Sequence, residues 1–334
     1  MTEQPHPRSR TRRPRAVRAT AFALVLPVLA AVLGGCGGDE AERDPKRGQQ
    51  WALDALRLPD AWQKSKGEDT VVAVVDTGVD LDHPDLKDKL VDGYDFVDGD
   101  RKPRDENGHG THVAGIAAAA TDNGVGIAGG APGAGIMPVR VLGHDGGGRN
   151  ADITKGIVWA ADHGADVINL SLGEGPLMSR LLHGGILNAA IRHAYAKGAV
   201  VVAAAGNDHA ATQPYKPGTP ALVVNASNQN GRAANFSNFG SAGAVSAPGV
   251  DILSTLPTYT TPETATNDSG YGELDGTSMA APYVSAVAAL LHHEGADPAK
   301  IISTLRATAR NPEKDVRLGR GVVNAQAAVD KAGG

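Results

Sequence analysis

Five stretches of the chain are almost unbroken runs of apolar, largely β-branched residues: 70–76 (TVVAVVD), 135–142 (GIMPVRVL), 165–172 (ADVINLSL), 199–207 (AVVVAAAGN) and 221–227 (ALVVNAS). A strand with one wet face alternates apolar and polar positions. These do not, so they predict strands covered on both faces. Between them, 109–120 (HGTHVAGIAAAA), 151–164 (ADITKGIVWAADHG) and 183–198 (HGGILNAAIRHAYAKG) read as helices, the last two ending at Gly164 and Gly198. Strands and helices in alternation predict an α/β fold with a mostly parallel central sheet and helices on both faces. From about residue 245 the strands shorten, and a long apolar helix, 279–294, runs up to Gly295. No repeat and no linker interrupts residues 49–334, which are expected to form one domain.

The start of the chain departs from this pattern. Residues 1–35 hold six of the 32 basic residues and one acid, ahead of the apolar stretch ATAFALVLPVLAAVLGG at 19–35. A positive start, a short apolar run and small residues predict an export signal, too short and too proline-interrupted for a spanning helix. The signal ends at LGGC, and Cys36 is the only cysteine in the protein. This resembles the lipobox of bacterial lipoproteins. The resemblance implies lipidation at Cys36, a membrane contact through that anchor, and a place on the outer face of a bacterial cell membrane or release from it. With one cysteine, no internal disulfide supports the fold. Residues 36–48 are polar and charged and read as a tether. Without the leader the chain has 26 basic and 36 acidic residues, a net charge of −10 in place of −5. That balance argues against nucleic acid or an anionic membrane surface as a partner.

Three stretches carry chemistry. Asp76 closes the run VVAVVD, at the strand edge where reactive groups collect in open parallel sheets. Taken alone it reads as a turn aspartate before Thr77. His109 and His112 lie in NGHGTH, where Gly108 and Gly110 let backbone or substrate approach closely. The two histidines fit a metal pair, two packed residues, or one catalytic base. Their spacing is three and no glutamate lies between them, unlike the zinc motif H-E-x-x-H. Ser278, in DGTSMAAP, falls where a loop turns into a helix, a position that suits an N-cap or a nucleophile. The chain order Asp76, His109, Ser278 is one of the orders in which the Ser-His-Asp triad recurs.

The wording around each residue adds to this order. DTG, HGTHVAG and GTSMAAP resemble the three signature segments of subtilisin-like serine proteases, and the likeness runs from about residue 49 to 329. It implies a serine endopeptidase with Ser278 as nucleophile, His109 as base and Asp76 orienting it. Asn207, in VVAAAGN, would supply an amide to the oxyanion, and His112 would be a packing residue. Ser171, Leu172 and Gly173 in NLSLG, and Gly146 and Gly148 in LGHDGGG, would pair with an extended polypeptide substrate. Ala205 and Gly206 would line a roomy apolar pocket. Specificity would therefore be broad, with an apolar or aromatic residue preferred before the cut. Glu174 and a lengthened stretch at 174–190 depart from the family pattern, in a direction that would narrow the choice or favour basic residues.

The resemblance also implies structural calcium. Asp85 in HPDL, Asn123, and the carbonyls of Thr121, Val125 and Ile127 in TDNGVGI would be its oxygen ligands, with Gln49 as candidate N-terminal ligand. Lys216–Pro217 falls near a family cis-proline. The chain is expected to act as a monomer. About 14 residues separate Cys36 from the first matching segment, too few for a folded propeptide. Two other classes share these residues: a silent peptide-binding protein using the same groove, and a metal-dependent hydrolase using His109 and His112.

Overall fold

A computed structural model of the chain describes residues 44–172, 185–212, 215, 218–267 and 269–333. The leader, Cys36, Gly173, Glu174 and the Lys216–Pro217 bond lie outside the described residues. In chain order the elements are α1 (Trp51–Ala55), α2 (Leu58–Ala61), β1 (Val71–Asp76), β2 (Tyr94–Asp95), α3 (His109–Ala118), β3 (Gly135–Arg140), α4 (Asn150–Asp162) and β4 (Val167–Leu170). They continue as α5 (Gly185–Ala196), β5 (Val200–Ala204), β6 (Ala221–Ser227), β7 (Val245–Pro248), β8 (Ile252–Thr255), β9 (Tyr271–Leu274), α6 (Thr277–His293), α7 (Pro298–Thr308) and α8 (Ala325–Ala332). The five apolar runs thus become β1, β3, β4, β5 and β6.

Their lack of alternation has the cause the pattern suggested. In β1, Val72 and Val74 enter one apolar cluster, while Ala73 and Val75 enter a second on the opposite face. In β5 the division repeats, with Val200 and Val202 in the first cluster and Val201 and Ala203 in the second. The first cluster is closed by α3, α6, α7 and α8, and the second by α4 and α5. Among the described residues the main sheet is parallel, in the order β2-β3-β1-β4-β5-β6-β7, and β8 pairs antiparallel with β9 apart from it. The chain extends the sheet in both directions from β1, whose neighbours are β3 and β4. Such a reversal opens a crevice at the carboxyl end of β1, where Asp76 stands.

α6 is buried from Thr277 to Leu291, so it is apolar on every side and runs through the first layer rather than over it. α3 lies against it and against β8. At Gly115 a β-carbon would stand 2.2 Å from Thr255 Oγ1 and 2.5 Å from Ser254 Oγ. These hydroxyls donate to the carbonyls of Thr111 and His112 at 2.7 and 2.8 Å, clamping β8 onto the helix.

The folded body starts earlier than polarity implied. Residues 44–48 fall in the stretch read as tether, yet Asp44 is buried and the Lys46 N–H donates to the Gly126 carbonyl at 2.7 Å. A charged segment can pack in this way because its carboxylate finds backbone donors, a feature that composition does not register. Among the described residues no helix is long and apolar enough to cross a membrane.

Gly115→Ala is expected to force α3 off β8 and to lower stability by about 1–3 kcal/mol, read by denaturant unfolding. Because α3 begins at His109, turnover should fall in the same variant.

Candidate active site

Asp76 is fully buried at the end of β1, and its Oδ1 accepts the Thr77 N–H at 2.8 Å. The same oxygen lies 2.8 Å from His109 Nδ1, which fixes that nitrogen as the one bearing hydrogen and leaves Nε2 available. His109 opens α3 with a side chain 23% exposed, so its ring spans a buried carboxylate and the solvent side. Burial pushes the imidazole pKa down. The Asp76 carboxylate more than offsets this, with smaller help from Asp105 and Glu263, so the net direction is upward.

The pair is held in register by Asp105, a residue the motif reading passed over. Its Oδ1 accepts from Thr77 Oγ1 and from the N–H groups of Asn107 and Gly108 at 2.8–2.9 Å. Its Oδ2 accepts from the N–H and Oγ1 of Thr111 at 2.9 and 2.6 Å. Thr77 Oγ1 in turn accepts the Gly110 N–H at 2.9 Å. One buried carboxylate thereby ties the residue after Asp76 to residues on both sides of His109. The close approach explains Gly110: a β-carbon there would sit 2.2 Å from the Gly78 carbonyl oxygen. The glycine makes room for this chain's own backbone.

Ser278 lies in the first turn of α6, where helix geometry provides no acceptor for its N–H. Its hydroxyl donates to the Ser171 carbonyl at 3.3 Å. Its own carbonyl would ordinarily receive the N–H of residue 282, but that residue is proline. Ser171 Oγ fills the place, donating to the Ser278 carbonyl at 2.8 Å. Asn169 Nδ2 donates to Ser171 Oγ at 2.9 Å, and Ser285 Oγ donates to Asn169 Oδ1 at 2.8 Å. A directed chain of buried hydrogen bonds therefore runs from the middle of α6 through β4 back to Ser278.

Asn207 follows β5. Its Oδ1 accepts both the N–H and Oγ1 of Thr277, at 2.9 and 3.0 Å, which turns its amino group the other way. Thr277 Oγ1 also accepts the Gly206 N–H at 3.0 Å. His109, Ser171, Asn207 and Ser278 line one cleft of about 360 Å³ together with Gly146. The other proposed substrate contacts divide. Ser171 and Leu172 are buried, Leu172 within the second apolar cluster. Gly148 lies behind Leu142, Ala205 extends the β5–β6 ladder by its N–H to the Val224 carbonyl at 3.0 Å, and Gly173 lies outside the described residues. Asp145, Glu263 and Asp275 also line the cleft, and no lysine or arginine does so among the described residues.

A directed carboxylate, an imidazole and a serine hydroxyl at the mouth of a parallel sheet can transfer an acyl group. Residues 67–327 match the model of the Subtilase family. The chain belongs to that family. This subtilase is 44% identical to thermitase of Thermoactinomyces vulgaris, over 78% of its own length and 88% of that protein. It is 46% identical to the thermophilic serine proteinase of Bacillus sp. (strain AK1), over 75% of its length and 59% of the relative's. A solved structure of a protease from Pseudoalteromonas arctica PAMC 21717 superposes with a TM-score of 0.76 at 35% identity, covering 87% of this chain and 99% of that one. The subtilase is accordingly a serine endopeptidase.

The second histidine of the subtilase has a different setting from the first. His112 is fully buried, its Nε2 lies 3.1 Å from the Gly272 carbonyl, and burial pushes its pKa down to about 3. It is a neutral packing group, as the sequence implied.

Of the residues read as calcium ligands, Asp85 and Asn123 meet at the loop 121–127. Asp85 Oδ2 accepts the Ile127 N–H and the Tyr271 hydroxyl, each at 3.0 Å, and Asp85 Oδ1 receives Asn123 Nδ2 at 3.0 Å. Asn123 Oδ1 accepts the Val125 N–H at 2.8 Å, and Thr121 stands at the base of the loop. Gln49 is exposed and takes no part. The N-terminal carboxylate at this loop is Asp44, which accepts the N–H groups of Asp122 and Asn123 at 3.0 Å. Burial pushes the Asp44 carboxyl upward, and the charges of Asp122 and Asp85 add to this. Asp44 and Asp85 are thus two buried carboxylates at one loop, with no lysine or arginine salt-bridge partner among the described residues, and a hard cation fits their uncompensated charge.

The subtilase's catalytic pH profile should show the carboxylate field. His109 acts as a base only when neutral, so a raised pKa moves the acidic limb of kcat/KM above the usual imidazole range. Glu263→Gln removes one negative charge facing the ring. The acidic limb should shift to lower pH, measured with an uncharged peptide substrate across pH 5 to 9, a range chosen around the ordinary imidazole value of about 6.5.

Proposed function

We propose that this subtilase cleaves polypeptides outside the cytoplasm through Asp76, His109 and Ser278, with an acyl-enzyme intermediate. The observation that carries the reading is the 2.8 Å Asp76–His109 pair opening on the cleft that Ser278 also lines. Ser278 Oγ attacks the carbonyl carbon of the scissile bond as His109 Nε2 takes its proton. The imidazolium is stabilised by the buried carboxylate of Asp76. The Asn207 amino group and the Ser278 N–H receive the developing oxyanion, and the Thr277 bonds to Asn207 Oδ1 favour that orientation. Collapse expels the amine with the proton from His109, and water repeats the sequence to free the acid. Ser171, Leu172, Gly173, Gly146 and Gly148 hold the substrate backbone, so specificity is broad. Ala205 and Gly206 favour an apolar residue before the cut, and the acidic rim favours basic residues elsewhere in the peptide.

Cys36, placed behind its export signal, anchors the enzyme by lipidation to the outer face of the membrane, and the protein works as a monomer. Calcium held by Asp85, Asn123, the carbonyls of Thr121, Val125 and Ile127, and Asp44 stabilises the fold without entering the chemistry. When bound, the ion neutralises the two carboxylates that otherwise repel.

A fluorophosphonate probe should attach to Ser278 alone, and Ser278→Ala should abolish both labelling and cleavage while leaving the unfolding curve nearly unchanged. Substantial turnover in that variant would overturn the mechanism. Chelation should lower the unfolding temperature and calcium restore it, with a contribution of about 2.7 kcal/mol at a hundredfold excess over Kd. The calcium response should shrink in Asp44→Asn; an equal response would remove Asp44 from the site.

A further inference from the structure

A second cavity lies away from the catalytic cleft. It measures about 800 Å³, opens to solvent, and is bordered by the start of β6, the segment before β7, α7 and the turn at Arg320. Tyr195, Val223 and Ile302 make much of the wall apolar. Its polar groups are of another kind from those of the rest of the protein. Among the described residues none that lines it is acidic, although the chain without its leader carries ten more acids than bases.

Two guanidinium groups, those of Arg306 and Arg320, share this space. Arg306 Nε donates to the Gly243 carbonyl at 2.7 Å, which fixes the group in place. Burial and then the charge of Arg320 weaken its hold on the proton. Among the described residues neither arginine has a carboxylate partner, and both line the same cavity. Ser241 supplies a second, independent sign. Its side chain is buried at 7% exposure, it lines the cavity, and its Oγ has no hydrogen-bond partner. A buried hydroxyl without a partner and two like charges held together both lack one thing, a set of anionic acceptor oxygens.

We propose that this cavity binds a small organic anion, its phosphate or carboxylate oxygens on Arg306, Arg320 and Ser241 and its apolar body against Tyr195 and Ile302. The volume exceeds that of a bare oxyanion and lies in the range of small-ligand pockets, and the mixed lining matches such sites. The site is separate from the triad, so occupancy adjusts stability or lifetime rather than the chemical step.

Calorimetry on the full wild-type chain at constant ionic strength provides the test, with phenyl phosphate, benzoate and inorganic phosphate as probes. Phenyl phosphate and benzoate should bind saturably, and inorganic phosphate more weakly than phenyl phosphate. Arg320→Gln, an exposed position away from the triad, should weaken binding about tenfold with peptidase turnover unchanged. Ser241→Ala should weaken it less. Phenyl phosphate tighter than benzoate would identify phosphate as the natural head group, and the reverse order a carboxylate. No saturable binding, or undiminished binding in Arg320→Gln, would overturn the proposal. Inorganic phosphate binding as tightly as phenyl phosphate would overturn the role given to the apolar wall.

Discussion

Burial of the sheet on both faces constrains everything else in this protein. A strand with no wet side can carry polar groups only where the ladder ends, or where each polar atom finds a partner inside. Asp76 meets the first condition at the end of β1. Asn169 meets the second within β4, where it is fully buried and bonds to serines on either side of it. The carboxyl edge of the sheet is thus where reactive residues can collect without costing the core unsatisfied groups. α6 follows from the same constraint. Its all-round burial suits an apolar helix, and its first turn emerges beside the end of β1.

The catalytic constellation depends on a supporting set as specific as itself. Asp105 binds the strand end to the start of α3, Thr277 orients Asn207, and Ser171 satisfies the carbonyl that Pro282 leaves open. Each support is buried and made of short hydrogen bonds, so the reacting groups have little freedom to drift. The field around His109 has one sign. Asp76 sits at hydrogen-bond distance while Asp105 and Glu263 lie farther out, and all three stabilise the positive imidazolium that catalysis creates.

How much of this was legible in the sequence follows from the range of each signal. The strands that became β1, β3, β4, β5 and β6 were readable because double burial writes itself into a local run of residues. Asp76, His109 and Ser278 were readable because each is embedded in a short distinctive segment and their order adds information. Asp105 was passed over two residues before the motif, since an aspartate ahead of a turn looks the same whether it accepts one bond or five. Pro282 was visible, but its orphaned carbonyl and the serine that answers it lie 107 positions apart in the chain. Glu263 reaches the cleft only because its loop folds back on Asn107, whose carbonyl accepts its N–H at 3.1 Å. Gln49 was chosen for its place near the N-terminus, whereas the fold brings in Asp44, five residues earlier in a stretch that composition marks as linker.

That early entry of the chain bears on the working lifetime of the enzyme. Asp44 and Lys46 are pinned to the loop at 121–127, and Gln50 exchanges two hydrogen bonds of 2.8 Å with the backbone of Ala128 just beyond it. The start of the folded body and this loop therefore open or close together. A protease meets a high concentration of one protein above all others, its own. A frayed N-terminal strip is an extended peptide of the kind its cleft accepts, and one cut there would leave the buried carboxylates without their cover. Bonded to the loop, the strip has its backbone groups engaged and is held away from the extended form that such a cleft accepts.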